Sequence, residues 1–267
     1  MNTLPFEFCD SVISTIDNLH PLRKLLSVLS DDSSRVWKTV IDDHVSNRRE
    51  KSIIFDAKKP FITLEELRKI NQKHLKIKKI ILSKRTLSIN DFKLLKYIQP
   101  FAQNSALSIK VNYSPEDNER LSECFKEIAF TELNLFQPYE SLLRRQAQSK
   151  VLKQVVLHGN GWSKELQLLI EDILLSNPIE YALVSSSYIF KNDFVEKLFD
   201  LPCLTAKEKR LMICIESVDK FCDFRPNLQI KKTVRLNIDY KQVIWKTDDG
   251  VKVEMETSLS YLTFRFY

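Results

Sequence analysis

From residue 78 onward, apolar and polar positions alternate in short bursts, and between the bursts lie longer stretches with helical spacing. The alternating stretches are "KKIIL" (78–82), "LSIKV" (107–111), "TELNLF" (131–136), "KQVVLH" (153–158), "EYALVS" (180–185) and "LMICIE" (211–216). Period-two alternation with branched side chains predicts strands. The intervening stretches open with helix-start signals. Ser114–Pro115–Glu116–Asp117 supplies a cap, a proline at the first helical position and acid in the first turn. Pro138 with Glu140 does the same, and Ser163 and Asn192 read as two further caps. From Ile81 the corresponding strand positions Ile109, Leu135, Leu157, Leu183 and Ile213 follow at steps of 28, 26, 22, 26 and 30 residues. A strand–helix unit of that length, repeated, predicts parallel strands joined by right-handed crossovers. The expected fold class is α/β (α+β overall), with a curved sheet backed by helices; a closed or doubly wound sheet is the alternative.

The flanks of this array read differently. Residues 1–50 have helical spacing only: Phe8, Val12, Ile13 and Ile16 in a first helix, "LRKLLSVLS" in a second, and Trp37, Val40 and Ile41 on one face of a third. Three short helices bury little by themselves. Residues 51–77 read as a basic linker with a helix. In it "SIIF" is a possible short strand, and Thr63 with Glu66 forms a capping box opening a helix to about His74. Residues 78–225 form the α/β repeat domain. After Pro226 the alternations Val234–Leu236–Ile238 and Val251–Val253–Met255 flank Asp249–Gly250, a hairpin turn signal, so 226–267 is expected to be a β-hairpin capping the last repeat.

Composition narrows the class of job. The 267 residues are 43% hydrophobic and 28% charged, a globular balance. No apolar run approaches the ~18 residues of a membrane helix. The N-terminus carries Glu7 and Asp10 and no early lysine or arginine, unlike a signal peptide. The expectation is a soluble intracellular protein of the cytoplasm or nucleus. Five scattered cysteines, Cys9, Cys124, Cys203, Cys214 and Cys222, with no CxxC pair, read as buried thiols. With only Gly159, Gly161 and Gly250 in the chain, there is no glycine-rich phosphate cradle, and "HGNG" (158–161) reads as a turn.

The charge is concentrated. Residues 1–50 hold 6 basic and 8 acidic residues (−2), residues 51–85 hold 11 and 3 (+8), and residues 86–267 hold 24 of each, for a total of +6. The dense part supplies a possible basic patch of Arg68, Lys69, Lys73, Lys76, Lys78, Lys79, Lys84 and Arg85, for nucleic acid or an acidic partner. No aromatic residue is interleaved in 68–85 to stack bases, so nucleic acid is the weaker option. His20, His44, His74 and His158 are isolated in sequence and predict no metal site. There is no GxSxG, "SSS" (185–187) reads as a polar loop at a strand end, and no carboxylates form a distinctive pair. Trp162 and Trp245 read as packing residues. We therefore expect no catalytic residues, no metal, no cofactor and no enzymatic activity.

The N-terminal block resembles an F-box. Leu4–Pro5–Phe6–Glu7 is an LPxE-like opening, followed by the apolar helix to Ile16, a leucine-rich second helix (Leu22, Leu25, Leu26, Leu29) and "RVWKTVIDDH" in the place of the tryptophan-bearing third helix. The resemblance covers about 45 of the 267 residues and extends in style to the F-box-related expansions of nematodes. The repeat domain resembles a leucine-rich-repeat solenoid. Together they imply a non-catalytic subunit whose helices dock on a Skp-type adaptor linked to a cullin ubiquitin-ligase scaffold, while the repeats hold an unknown protein substrate. By carry-over, Leu4, Pro5, Phe8, Leu25, Leu26 and Trp37 are the adaptor-binding residues. The alternatives are a repeat-type protein-interaction module without a ligase role, and a basic-patch binder of nucleic acid or an acidic partner.

Overall fold

A computed structural model describes residues 6–14, 16, 19–28, 35–56, 62–159, 162–186, 190–199, 209–213, 231–232, 240–246, 252–258 and 261–266. Helices α1 (Phe6–Ser14), α2 (Leu19–Val28) and α3 (Arg35–Asn47) come first. A strand–helix series follows: β1 (Arg49–Phe55), α4 (Leu64–Arg68), β2 (Leu75–Leu82), α5 (Ile89–Ile98), β3 (Ala106–Ile109), α6 (Pro115–Phe125), β4 (Glu132–Leu135), α7 (Glu140–Ser149), β5 (Gln154–Gly159), α8 (Lys164–Ser176), β6 (Tyr181–Ser186), α9 (Asn192–Phe199) and β7 (Lys209–Ile213). The last described elements are β8 (Lys231–Lys232), β9 (Tyr240–Lys246), β10 (Lys252–Ser258) and β11 (Tyr261–Phe266).

The protein is mixed α/β. β1 to β7 pair in chain order and all in parallel. Such a path steps the same way at every crossover, and with right-handed connections it keeps α4–α9 on one face of the sheet. The strand order has no reversal point, so the sheet is neither doubly wound nor closed among the described residues. Two apolar rungs run across all seven strands on the helix side: Ile53–Ile80–Leu107–Leu133–Val155–Ala182–Leu211, and Phe55–Leu82–Ile109–Leu135–Leu157–Val184–Ile213. All are buried, in one core with Leu95, Phe125, Leu143, Ile170 and other helix residues.

The sheet starts earlier than the sequence suggested. The segment 51–77, expected to be a linker with one helix and a short strand at "SIIF", holds that helix as α4 and most of β1, which begins at Arg49 and pairs into the sheet, so that Phe55 and Leu67 enter the core. A bulge makes this possible. Lys51 pairs with Ile77 but Ser52 with Lys79, leaving Lys78 as the extra residue. Leu75 and Ile77 face the core before it, Ile80 and Leu82 after it, so one inserted residue keeps "LKIKKIIL" in phase with the core. The capping box is present, with Thr63 N–H donating to Glu66 Oε2 (2.7 Å) and Glu66 N–H to Thr63 Oγ1 (3.2 Å). Its helix ends at Arg68, however, not near His74. Asn71 Oδ1 accepts the Lys73 N–H (3.1 Å) and starts a separate 3-10 turn over Gln72–His74. Ser114 and Ser163 cap α6 and α8 as expected. Asn192 is the first residue of α9, and α7 starts from Tyr139 with no side-chain cap.

The C-terminal end also differs. Instead of one hairpin, the described strands form an antiparallel run, β8–β9–β10–β11, and β11 lies against β7. "VKVEMETSLSYLTFRFY" divides into β10 and β11, which pair with each other from Val253 with Phe266 to Ser258 with Tyr261. The expected alternation Val234–Leu236–Ile238 and the turn Asp249–Gly250 lie outside the described residues.

Polar clamps tie successive units together at the turns. Buried Gln146, on α7, accepts the Phe130 N–H (2.8 Å) and donates to Ile128 C=O (2.9 Å). Buried Asn177, after α8, accepts the Leu152 N–H (3.1 Å), and Gln103 accepts the Ala129 N–H (3.0 Å). These amides satisfy backbone groups in turns that no ladder covers.

Gly159 ends β5 at φ +89°, and a Cβ there would sit 2.6 Å from the Phe136 carbonyl oxygen. "HGNG" therefore holds one glycine that the fold requires. Gly159→Ala should cost about 1–3 kcal/mol from backbone strain. In urea denaturation it should lower the midpoint without changing the slope; an unchanged midpoint would refute the requirement.

Candidate functional site

α1 carries two apolar stripes at i, i+4 spacing. Cys9 and Ile13 form one, Phe8 and Val12 the other, about 100° apart around the helix. Three short helices cover only one of them. Cys9, Ile13, Leu22, Val40 and Ile41 make a small core separate from the main one. Phe8 remains 49% exposed, with Val12, Leu25 and Val36 also in solvent. Phe8 meets Trp37 edge to face at 6.4 Å between ring centroids, and Trp37 is half-buried. Of the residues predicted to bind an adaptor, Phe8 and Leu25 are thus exposed and Trp37 supports Phe8. Leu4, Pro5 and the side chain of Leu26 lie outside the description. Val36 was missed, because helical spacing places it with the buried Val40.

A charged latch joins this module to the sheet. Lys73 Nζ lies 2.9 Å from Asp10 Oδ1 on α1 and 2.8 Å from Asp43 Oδ2 on α3. His44 Nε2 is 2.9 Å from Asp10 Oδ1, and His74 Nε2 is 3.6 Å from Asp43 Oδ2. The two imidazoles, both buried, meet edge to face at 5.3 Å. The hydrogen bond from Lys73 holds the Asp43 carboxyl below its ordinary range. Burial pushes Asp10 up, but hydrogen bonds from Lys73 and His44 outweigh it and leave Asp10 low. Asp43 and Asp10 in turn raise Lys73, while burial lowers His74.

The predicted basic patch is therefore not one surface. Lys73 is in the latch, Lys78 Nζ pairs with Glu50 (2.6 Å), and Lys84 Nζ pairs with Asp91 (2.9 Å). Asp91 is buried. Burial raises it, but hydrogen bonds from Ser88 and Lys84 bring it below the usual carboxylate range. Arg68 lies over the Tyr97 ring, 5.9 Å from its centre. Lys76 and Lys79 are on β2, Lys79 in register with Ser52 and Ala106, and Arg85 is exposed in the turn that follows. Lys69 faces a groove with Arg49 and Lys51, two cations outside the predicted patch.

The sheet face opposite the helices is the other candidate surface. Strand pairing aligns Ile54, Ile81, Ser108, Asn134, Val156, Leu183 and Met212 on one line across it. Phe136, 38% exposed, and His158 follow two residues beyond Asn134 and Val156, with rings 4.5 Å apart. Ser108 Oγ and Asn134 Oδ1 are buried without hydrogen-bond partners. Of "SSS", Ser185 and Ser186 belong to β6, opposite His158 and Gly159. Cys9 and Cys124 are buried free thiols, and Trp162 is buried. The other three cysteines and the Trp245 side chain lie outside the description.

Among the described residues no group of three or more His, Cys, Asp and Glu side chains could hold a metal ion, and no helix is long and apolar enough to cross a membrane. No protein-family model matches the chain, and no curated protein matches it.

Proposed function

We propose that the chain is an F-box-type, non-catalytic subunit. In this reading α1–α3 dock on a Skp-type adaptor, and through it on a cullin ubiquitin-ligase scaffold inside the cell. The strand–helix array, a leucine-rich-repeat-like domain, offers a protein substrate its open sheet face. The observation that carries the reading is the second apolar stripe of α1: Phe8 and Val12, with Leu25 and Val36 on the other helices, stay in solvent while the module has a small core of its own. Exposed aromatic and aliphatic groups on a rigid support are what interface anchors require. A second reading, a repeat-type interaction module without a ligase role, is favoured by the open sheet face, which needs no helical module to be complete.

Co-purification with a Skp-type adaptor tests the first reading. Wild type should retain the adaptor, and Phe8→Asp with Leu25→Asp should weaken retention by about tenfold or more while leaving the circular dichroism spectrum unchanged. Failure of the wild-type chain to bind the adaptor would leave the second reading standing alone.

A further inference from the structure

Ion pairs take up Lys73, Lys78 and Lys84 from the basic run over 51–85, while Lys51 and Lys69 converge with Arg49. A groove of about 560 Å³ lies where α3 ends, β1 begins and α4 turns toward β2. Arg49, Lys51 and Lys69 line it, and among the described residues none of the three makes an ion pair. Asp43 is the acid on the described lining, and Lys73 already holds it at 2.8 Å. Glu66, whose carboxyl is held low chiefly by hydrogen bonds from Thr63, also lies in the field of Lys69 and Lys51.

A second observation also points to a ligand. His74, 93% buried, lines the same groove, and its Nδ1 has no hydrogen-bond partner. A buried imidazole nitrogen left unpaired carries a desolvation cost, and an acceptor oxygen relieves it when Nδ1 carries the ring proton. The groove volume lies in the range of small-molecule sites. Three cations around one space, with the lining acid Asp43 already held by Lys73, suit a dianion.

We propose that this groove binds a phosphate dianion, with Arg49, Lys51 and Lys69 as its charge partners and His74 at its base. The source is a small phosphorylated molecule or free phosphate. A nucleic-acid backbone fits less well. The lining has no Phe, Tyr or Trp to stack a base, and Lys73, Lys78 and Lys84, which would extend a cationic track, are engaged by Asp10 and Asp43, Glu50 and Asp91. None of its residues belongs to the exposed apolar set that the adaptor reading uses.

Calorimetric titration of the full chain with phosphoserine, serine and inorganic phosphate tests it. Phosphoserine should bind and serine should not. Phosphoserine binding tighter than phosphate identifies an organic ester as the source, and equal binding identifies the free anion; both support the site. Arg49→Gln with Lys51→Gln and Lys69→Gln should weaken phosphoserine by about tenfold or more. Lys79→Gln with Arg85→Gln and Lys93→Gln removes the same charge elsewhere and should change it by less than about threefold. Lys69→Glu alone, at an exposed position, should weaken binding in the same direction. The proposal is overturned by absence of phosphate-dependent binding, by equal losses in the two triple variants, or by a DNA duplex that binds more tightly than phosphoserine and suffers equally from both.

Discussion

Phe55→Ala should lower the free energy of unfolding by about 3–5 kcal/mol, the usual cost of removing a buried phenylalanine. The side chain is 1% exposed and sits at the β1 end of the second apolar rung, beside Leu82. Its carbonyl accepts from Ser83 N–H at 2.9 Å and Lys84 N–H at 3.0 Å, so the backbone around it is fixed and the cavity cannot easily collapse. The experiment decides the status of residues 51–77. A linker strand would lose less than about 1 kcal/mol, as surface substitutions do; the first strand of the sheet loses several times more. Urea denaturation followed by circular dichroism measures the difference.

Gln146→Met should cost about 2–4 kcal/mol. The substitution nearly conserves volume, so packing changes little. It removes both hydrogen bonds of the amide, stranding the Phe130 N–H and the Ile128 carbonyl in a dry turn. Each unpaired buried group costs about 1–3 kcal/mol. The same denaturation experiment reads it, and a loss below about 1 kcal/mol would mean that water or a shifted backbone replaces the clamp.

These two residues also mark where the sequence is legible and where it is not. Strands β2 to β7 are visible because branched residues alternate on a helix-backed sheet, but the count from Ile81 to Ile213 slips by one residue at β2 and β6, where Leu82 and Val184, not Ile81 and Leu183, share the rung of Ile109, Leu135, Leu157 and Ile213. β1 is harder to see, because "REKS" is charged and polar and the bulge at Lys78 breaks the two-residue period. α4 ends early because Asn71 offers the chain a competing local hydrogen bond, which no periodicity reports. The clamp glutamine leaves no trace in the sequence, since one Gln in a helix looks like any solvated residue until the turn it satisfies is known.

For the candidate surfaces, the apolar faces of α1 and α3 are legible but their division into core and solvent is not, because that depends on how three helices cross. The charge surplus is legible as a sum. Its cancellation is not: Lys73 finds Asp10 and Asp43 only after the chain has folded back on itself. Arg49, just outside the basic run, joins Lys51 and Lys69 through β1 and the turn after α4 rather than through sequence proximity.

The chain-ordered sheet has a consequence for communication within the molecule. Each strand–helix unit touches the one before and the one after, so the array behaves as a row of coupled cells with nearest-neighbour energies. Rigidity lent to α1–α3 enters the sheet at β1, one residue beyond α3, and beside β2 through the Lys73 latch, then weakens unit by unit before it reaches β7. The two ends of the protein can therefore be loaded almost independently, one by whatever grips the helices and the other by whatever lies against the far strands.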